Sequence, residues 1–276
     1  MLLSAYPTLA ERLRVALLWL WCSLVLVFLV VPIFVPVPLS FSSGSFFTFP
    51  LPGFSTRWYE TVLDTPRWRS AIGNSLLIGF GTTVLATVLG TLAAIGLSDP
   101  KFPARRFIVP LIISPLIVPV VVTAVGTYLF YARVGLASTY LGIILAHTVL
   151  ASPFVVVTVS ASLSGFDRNL MRATAILGAR PLIGFRRVML PLILPGVLSG
   201  AAFAFVTSFD EVVVAQFLAN ADQRTLPLEM FTGLREQLSP AITAAATMMM
   251  GLSVLLLLVA NLLARRSKRL AEQKME

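Results

Sequence analysis

The chain has 276 residues, of which 57% are hydrophobic and only 12% charged, a balance far from that of a soluble domain and one that reads as an integral membrane protein. Its formal charge of +9 would suit a nucleic-acid partner, but the basic residues are scattered over loops with no aromatic-interleaved patch beside them, which excludes that class. The single cysteine, Cys22, excludes an internal disulfide and suggests no metal cluster.

Arg12 and Arg14 precede the first apolar run, Val15 to Val37. The run is too long for a signal peptide, contains Pro32 and Pro36 with Pro38 just beyond it, and lacks a small-residue cleavage site, so it predicts an uncleaved first span. A segment rich in Ser, Pro, Gly and aromatics follows, with Trp58, Tyr59 and Trp68 suited to a membrane-interface belt and a short surface helix expected among them. The second run, Ile72 to Leu97, carries small residues at Gly79, Gly81, Gly90, Ala93, Ala94 and Gly96, which permit close helix packing. In the third run, Ile108 to Tyr131, Pro110, Pro115 and Pro119 predict a kink or local unwinding. The fourth, Leu141 to Leu163, holds the lone histidine, His147, for which a neutral interhelical hydrogen bond is a sufficient role.

Residues 164–191 interrupt the apolar pattern with a basic, helix-compatible stretch. Met171, Thr174, Ala175 and Leu177 offer apolar or small contacts, and Arg168, Arg172 and Arg180 are expected toward water or headgroups. Gly178 fits the position after a helix end, a second short helix is expected through Phe185 and Val188, and Pro191 falls in the first turn of the next span. The fifth run, Leu192 to Leu218, has small residues at Gly196, Gly200, Ala201, Ala202 and Ala204 and, near its end, the acids Asp210 and Glu211. Charge inside a membrane is costly, so these carboxylates predict a path for a cationic solute, flanked by Ser208 and Phe209, or else an interhelical pair or a solvated place near the outer interface. On one continuous helix the two acids would point about 100° apart. After a loop with turn residues and an amphipathic piece around Met230 to Leu238, the sixth run extends from Ile242 to Ala264.

Each run is long enough to cross about 30 Å of hydrocarbon as a helix, and all are too long and unalternating for barrel strands. The expected fold is therefore all-α, one membrane domain over 1–276 with six spans. With the N-terminus inside, 15 of the 21 Lys and Arg residues fall on the inner side, including Lys101, Arg105 and Arg106 and the cluster from Arg265 to Lys274. That bias predicts both termini in the cytoplasm and the 164–191 loop with them. No GxxxxGK[ST] loop, HExxH, CxxC pair or nucleophile elbow occurs, so the sequence offers no enzymatic site and no means of hydrolysing ATP itself.

From Met171 to Pro191 the chain resembles the EAA loop of ABC-importer permeases, whose pattern is Glu-Ala-Ala, three residues, Gly, nine residues, Ile-x-Leu-Pro. Here Gly178 is followed by nine residues and then Val188, Met189, Leu190 and Pro191, whereas Arg172, Ala173 and Thr174 stand at the Glu-Ala-Ala positions. Together with GFSTRWYETVLDTPRWRSAIGNSLLIGFG and SFDEVVVAQFLANADQRTLPLEMFTGLREQLSP, the chain resembles the second permease of spermidine/putrescine-type importers. The resemblance implies a six-helix subunit of the bacterial inner membrane that pairs with a homologous permease, two cytoplasmic ATPase subunits carrying ATP and Mg, and an extracytoplasmic solute-binding protein. It implies ATPase coupling through Arg172, Ala173, Thr174, Gly178, Ala179, Leu190 and Pro191, and a small cationic cargo such as a polyamine. Similar permeases serve opines and amino-acid derivatives. The competing class is a stand-alone proton-coupled carrier using His147 and the acid pair.

Overall fold

A computed structural model describes residues 8–99, 102–236 and 238–273; of the basic residues placed inside above, Lys101 and Lys274 lie outside the described residues. The first helix, α1 (Leu9–Phe34), starts on a reciprocal cap in which Thr8 Oγ1 accepts from Glu11 N–H and the Glu11 carboxylate accepts from Thr8 N–H. It buries no residue against the rest of the chain. The short α2 (Pro36–Ser40) turns the chain into the aromatic segment, where α3 (Arg57–Asp64) is the expected surface helix. Trp58 Nε1–H donates to Ser42 O at 2.8 Å and fixes α3 on that segment.

The long helix α4 (Pro66–Leu97) begins with proline at its first position, where a missing N–H costs nothing. Beyond it, α5 (Arg105–Ile113) and a single 3-10 turn at Ser114–Leu116 lead into α6 (Val120–Val134), bent by 104° from the preceding piece. The break falls at Pro119, which is extended, with ψ 128, and has no N–H with which to continue the preceding turn. The fourth run forms α7 (Tyr140–Ser164), capped by Thr139 Oγ1 accepting from Gly142 N–H at 2.9 Å. After the loop helices α8 (Asn169–Ile176) and α9 (Pro181–Gly184), a π turn over Phe185–Met189 runs straight into α10 (Leu190–Phe209). The π turn sits just before Pro191, whose ring and missing N–H disfavour a regular turn, and Leu190 N–H donates to Phe185 O instead.

The fifth run departs from expectation. Its helix stops at Phe209 and restarts as α11 (Val213–Leu218), so Asp210 and Glu211 lie in a break and not on one continuous helix to Leu218. The chain then passes through α12 (Leu226–Glu236), the expected amphipathic piece, to α13 (Ala241–Gln273). Among the described residues, five helices are long and apolar enough to cross a membrane, and the bent α5–α6 pair makes a sixth if counted as one span.

The core lies where α4, α7 and α10 pack against one another, around Ala86, Ala151, Val155, Val159, Ile193 and Ala204. Val155 is fully buried between two glycines. A Cβ on Gly90 would stand 2.7 Å from Val155 Cβ, and one on Gly200 would stand 2.6 Å from Thr158 Oγ1 and 3.0 Å from Val155 Cα. Gly81 and Gly90 of the second run and Gly196 and Gly200 of the fifth thus serve close approach to α7, whereas Gly79 faces Phe205 of α10. Gly96 does not take part, since nothing lies within 4 Å of where its Cβ would be.

Candidate functional site

The loop between α7 and α10 is built from its local hydrogen bonds outward. Asp167 Oδ1 accepts from Asn169 N–H at 2.9 Å, a short-range turn that starts α8. Arg168 reaches the end of α4, donating to Ser98 O and lying 3.8 Å from Asp99 Oδ1. At the other end of α8, Gly178 has φ +77; Gly178 N–H donates to Ala175 O at 3.0 Å and Ala179 N–H to Thr174 O at 3.0 Å. That double bond pattern over a left-handed residue is a Schellman end, and it is why glycine stands here.

The Schellman turn folds α8 back on α9. Thr174 and Met171 close over Gly184, where a Cβ would meet Thr174 Oγ1 at 2.9 Å and Met171 Cε at 3.1 Å. Gly184 carries no local signal of this contact, because its role depends on which turn of α8 lands on it. Of the α8 residues expected to make apolar or small contacts, Ala175 and Leu177 are exposed on this chain, while Arg168, Arg172 and Arg180 are exposed as expected. Met171 and Thr174 face inward, whereas Ile176 and Leu177 stand out at 86% and 85% exposure, next to exposed Leu182 and Ile183. Arg172 and Ala173 are also exposed, and the Arg172 guanidinium donates to Asn169 Oδ1, at 3.3 Å on its own helix. Ala179 and Leu190 are half-buried, and Pro191 is exposed in the first turn of α10. The loop thus presents an exposed apolar stretch, Ile176 and Leu177, between exposed Arg172 and Arg180.

The four residues proposed to flank a path separate into two pairs. Ser208 and Phe209 are buried at 4% and 3% exposure within this chain. Ser208 Oγ lies 2.8 Å from His147 Nδ1, which makes the fully buried His147 a link between α7 and α10. Phe209 stacks on Phe205 with centroids 5.3 Å apart. Asp210 is exposed, while Glu211 is half-buried and its Oε1 accepts from Val214 N–H at 2.9 Å. That carboxylate occupies an orphan amide at the start of α11, as a capping side chain does, and stabilises the break.

A second polar centre lies at the end of α4 remote from the loop. Glu229 of α12, only 2% exposed, pairs with Arg67 and lies 3.6 Å from Arg224 Nη1. Beside it Asn74 Nδ2 donates to Asp222 O at 2.8 Å and Arg224 O at 2.9 Å, and Tyr140 O–H donates to Asn74 Oδ1 at 2.9 Å. These contacts tie the 219–236 segment to α4 and α7. Removing Arg67 leaves a buried carboxylate with one weaker partner, so Arg67→Ala is expected to destabilise the protein by about 2 kcal/mol. That is below the 3–5 kcal/mol typical of a broken buried pair, because Arg224 remains and Arg67 is itself half exposed. Melting of the purified protein and protease sensitivity of the 219–236 segment provide the check.

Residues 86–269 match the family described as the binding-protein-dependent transport system inner membrane component. The chain belongs to that family. Among its relatives in this permease family, the spermidine/putrescine transport system permease protein PotC of Haemophilus influenzae is 32% identical over 240 residues, covering 87% of this chain and 93% of PotC. The putrescine transport system permease protein PotI of Escherichia coli K12 is 34% identical over 231 residues, covering 81% of this chain and 82% of PotI. A chain of a bacterial ABC transporter involved in import of the acidic polysaccharide alginate superposes with a TM-score of 0.71 at 16% identity, over 95% of this chain and 99% of that one. At that identity the likeness is one of fold. Membership assigns the chain to the inner membrane as a permease component.

Proposed function

We propose that this permease subunit imports a small cationic solute, a polyamine such as spermidine or putrescine, in an assembly with a second permease, two ATPase subunits that bind and hydrolyse ATP, and an extracytoplasmic binding protein. The observation that carries the cationic cargo is the carboxylate pair at the break between α10 and α11, where Asp210 is exposed on the subunit and has no protein partner among the described residues. A carboxylate at membrane depth is tolerated where it meets water, a partner or a cation, and an interrupted helix is a common way to place one beside a path. Glu211 holds the break open through its bond to Val214 N–H and adds negative charge beside Asp210. The names of the relatives PotC and PotI point to the same class of solute.

In this reading both termini and the Arg168 to Pro191 loop are cytoplasmic. Closure of the ATPase dimer pushes on the Ile176–Leu177 tip, and the continuous helix from Pro181 to Phe209 carries the displacement to the acid pair at its far end. The chain itself performs no chemistry. Replacing both acids, Asp210→Asn with Glu211→Gln, is expected to lower uptake of spermidine and putrescine at least about ten-fold, since a lost charged contact is worth 1.5–3 kcal/mol. Unchanged uptake by a correctly assembled double variant would remove the acid pair from the path.

A further inference from the structure

The break at Pro119 has a consequence at the coupling end of the molecule. It sets α5 at 104° to α6, and a cavity of about 560 Å³ lies between α5 and α7. Val109 and Ile113 of α5 form one wall, and Val156, Val157 and Leu163 of α7 form the other. Its floor is Leu97 at the end of α4, and its mouth carries Arg105 and Arg168. A volume in the usual range for small-molecule pockets, about 300–1,000 Å³, with apolar walls and a cationic rim defines an amphiphile with an anionic head.

The two arginines are not equivalent. Arg168 is held by Ser98 O and Asp99, so much of its charge is already met. Arg105 is exposed and pairs with no acid among the described residues, and Arg106 follows it along the rim of a second, shallower cavity that shares Arg105 and Val109. Ser160, on the exposed side of α7, adds a hydroxyl to the cavity lining. Unpaired positive charge at the end of the spanning helices, over an apolar slot, matches a phospholipid with its phosphate at the arginines and an acyl chain along α7.

We propose that the cleft between α5 and α7 is a binding site for an anionic phospholipid of the cytoplasmic leaflet, with Arg105 as its main headgroup contact. The lipid fills the space the tilted α5 leaves and adjoins Arg168 at the root of the coupling loop, so its occupancy stiffens the joint between that loop and α4. The leaflet assignment rests on the orientation adopted under the proposed function.

The test uses the assembled transporter, delipidated in detergent and titrated with phosphatidylglycerol, phosphatidylcholine or inorganic phosphate, with bound lipid counted by native mass spectrometry. Phosphatidylglycerol is expected to be retained, and phosphatidylcholine and phosphate not. Arg105→Gln is expected to weaken retention about five-fold, the effect of one basic residue at an anionic surface, and Arg105→Lys to preserve most of it. Val157→Trp, at a half-exposed wall position, is expected to fill the slot and abolish retention. Equal phosphatidylglycerol retention in wild type, Arg105→Gln and Val157→Trp overturns the site, as does equal retention of phosphatidylcholine. Retention in Arg105→Gln alone decides the matter if Val157→Trp fails to assemble. Polyamine uptake by the same preparations separates the two readings: lost lipid selectivity with normal uptake strikes the lipid site alone, and normal lipid selectivity without polyamine uptake strikes the importer reading alone.

Discussion

Gly178→Val is expected to uncouple the assembled transporter, with ATPase stimulation by the binding protein lost and uptake reduced at least about ten-fold, while the subunits still assemble. The reason is conformational. Gly178 has φ +77, and nothing lies within 4 Å of where a Cβ would stand, so a side chain meets no neighbour and acts only through the backbone. A left-handed conformation costs an ordinary L-residue roughly 1–2 kcal/mol, and a β-branched residue there is a true outlier. To escape it the turn must unwind, giving up the Gly178-to-Ala175 and Ala179-to-Thr174 bonds that aim the Ile176–Leu177 tip. Gly178→Asn should retain most of the activity, because asparagine tolerates this region. Wild-type stimulation and uptake in Gly178→Val would sink the coupling role of this turn.

Gly200→Leu is expected to prevent stable accumulation of the protein in the membrane, and Gly200→Ala to destabilise it by about 2–3 kcal/mol, the upper part of the range for overpacking. The first added carbon would already stand 3.0 Å from Val155 Cα and 2.6 Å from Thr158 Oγ1. Backbone cannot yield as a side chain tip can. Relief would need α10 to move off α7, and with it the His147–Ser208 link. Gly96→Ala provides the contrast within the same bundle: its Cβ would meet nothing, so the variant should be neutral or gain up to about 1 kcal/mol of helix propensity. Expression level and detergent melting of the three variants measure the difference. Equal behaviour of Gly200→Ala and Gly96→Ala would show that the close approach at Val155 is not limiting.

The parts of the site that depend on near neighbours were legible in the chain. Gly178 ends a helix because the geometry of a single turn demands it, and the count from Gly178 to Pro191 fixes how far the following helix begins from that turn. The end of the fifth helix was not legible. VTSFDEVVVAQF reads as continuous apolar helix, but Ser208 is drawn to His147, Phe209 to Phe205, and the Glu211 carboxylate to the amide of Val214. The first of these partners lies on another helix, out of sight of any local pattern. Glu229 is a further case: in sequence it is one acid of an amphipathic loop helix, and only folding sets it beside Arg67 and buries it.

The apolar runs, their number, the all-helical class and the basic loop with its glycine follow from the sequence itself, because membrane length, backbone hydrogen bonding and left-handed backbone energetics act on adjacent residues. Tertiary structure decided the rest. It set Gly81, Gly90, Gly196 and Gly200 against α7 and Gly79 against α10, sent Ser208 and Phe209 inward while leaving Asp210 exposed, and bent the third span beside the cleft that Leu97 lines. Each of those outcomes is settled by which surfaces meet across the bundle, and that depends on residues far apart in the chain competing for the same few ångströms of space.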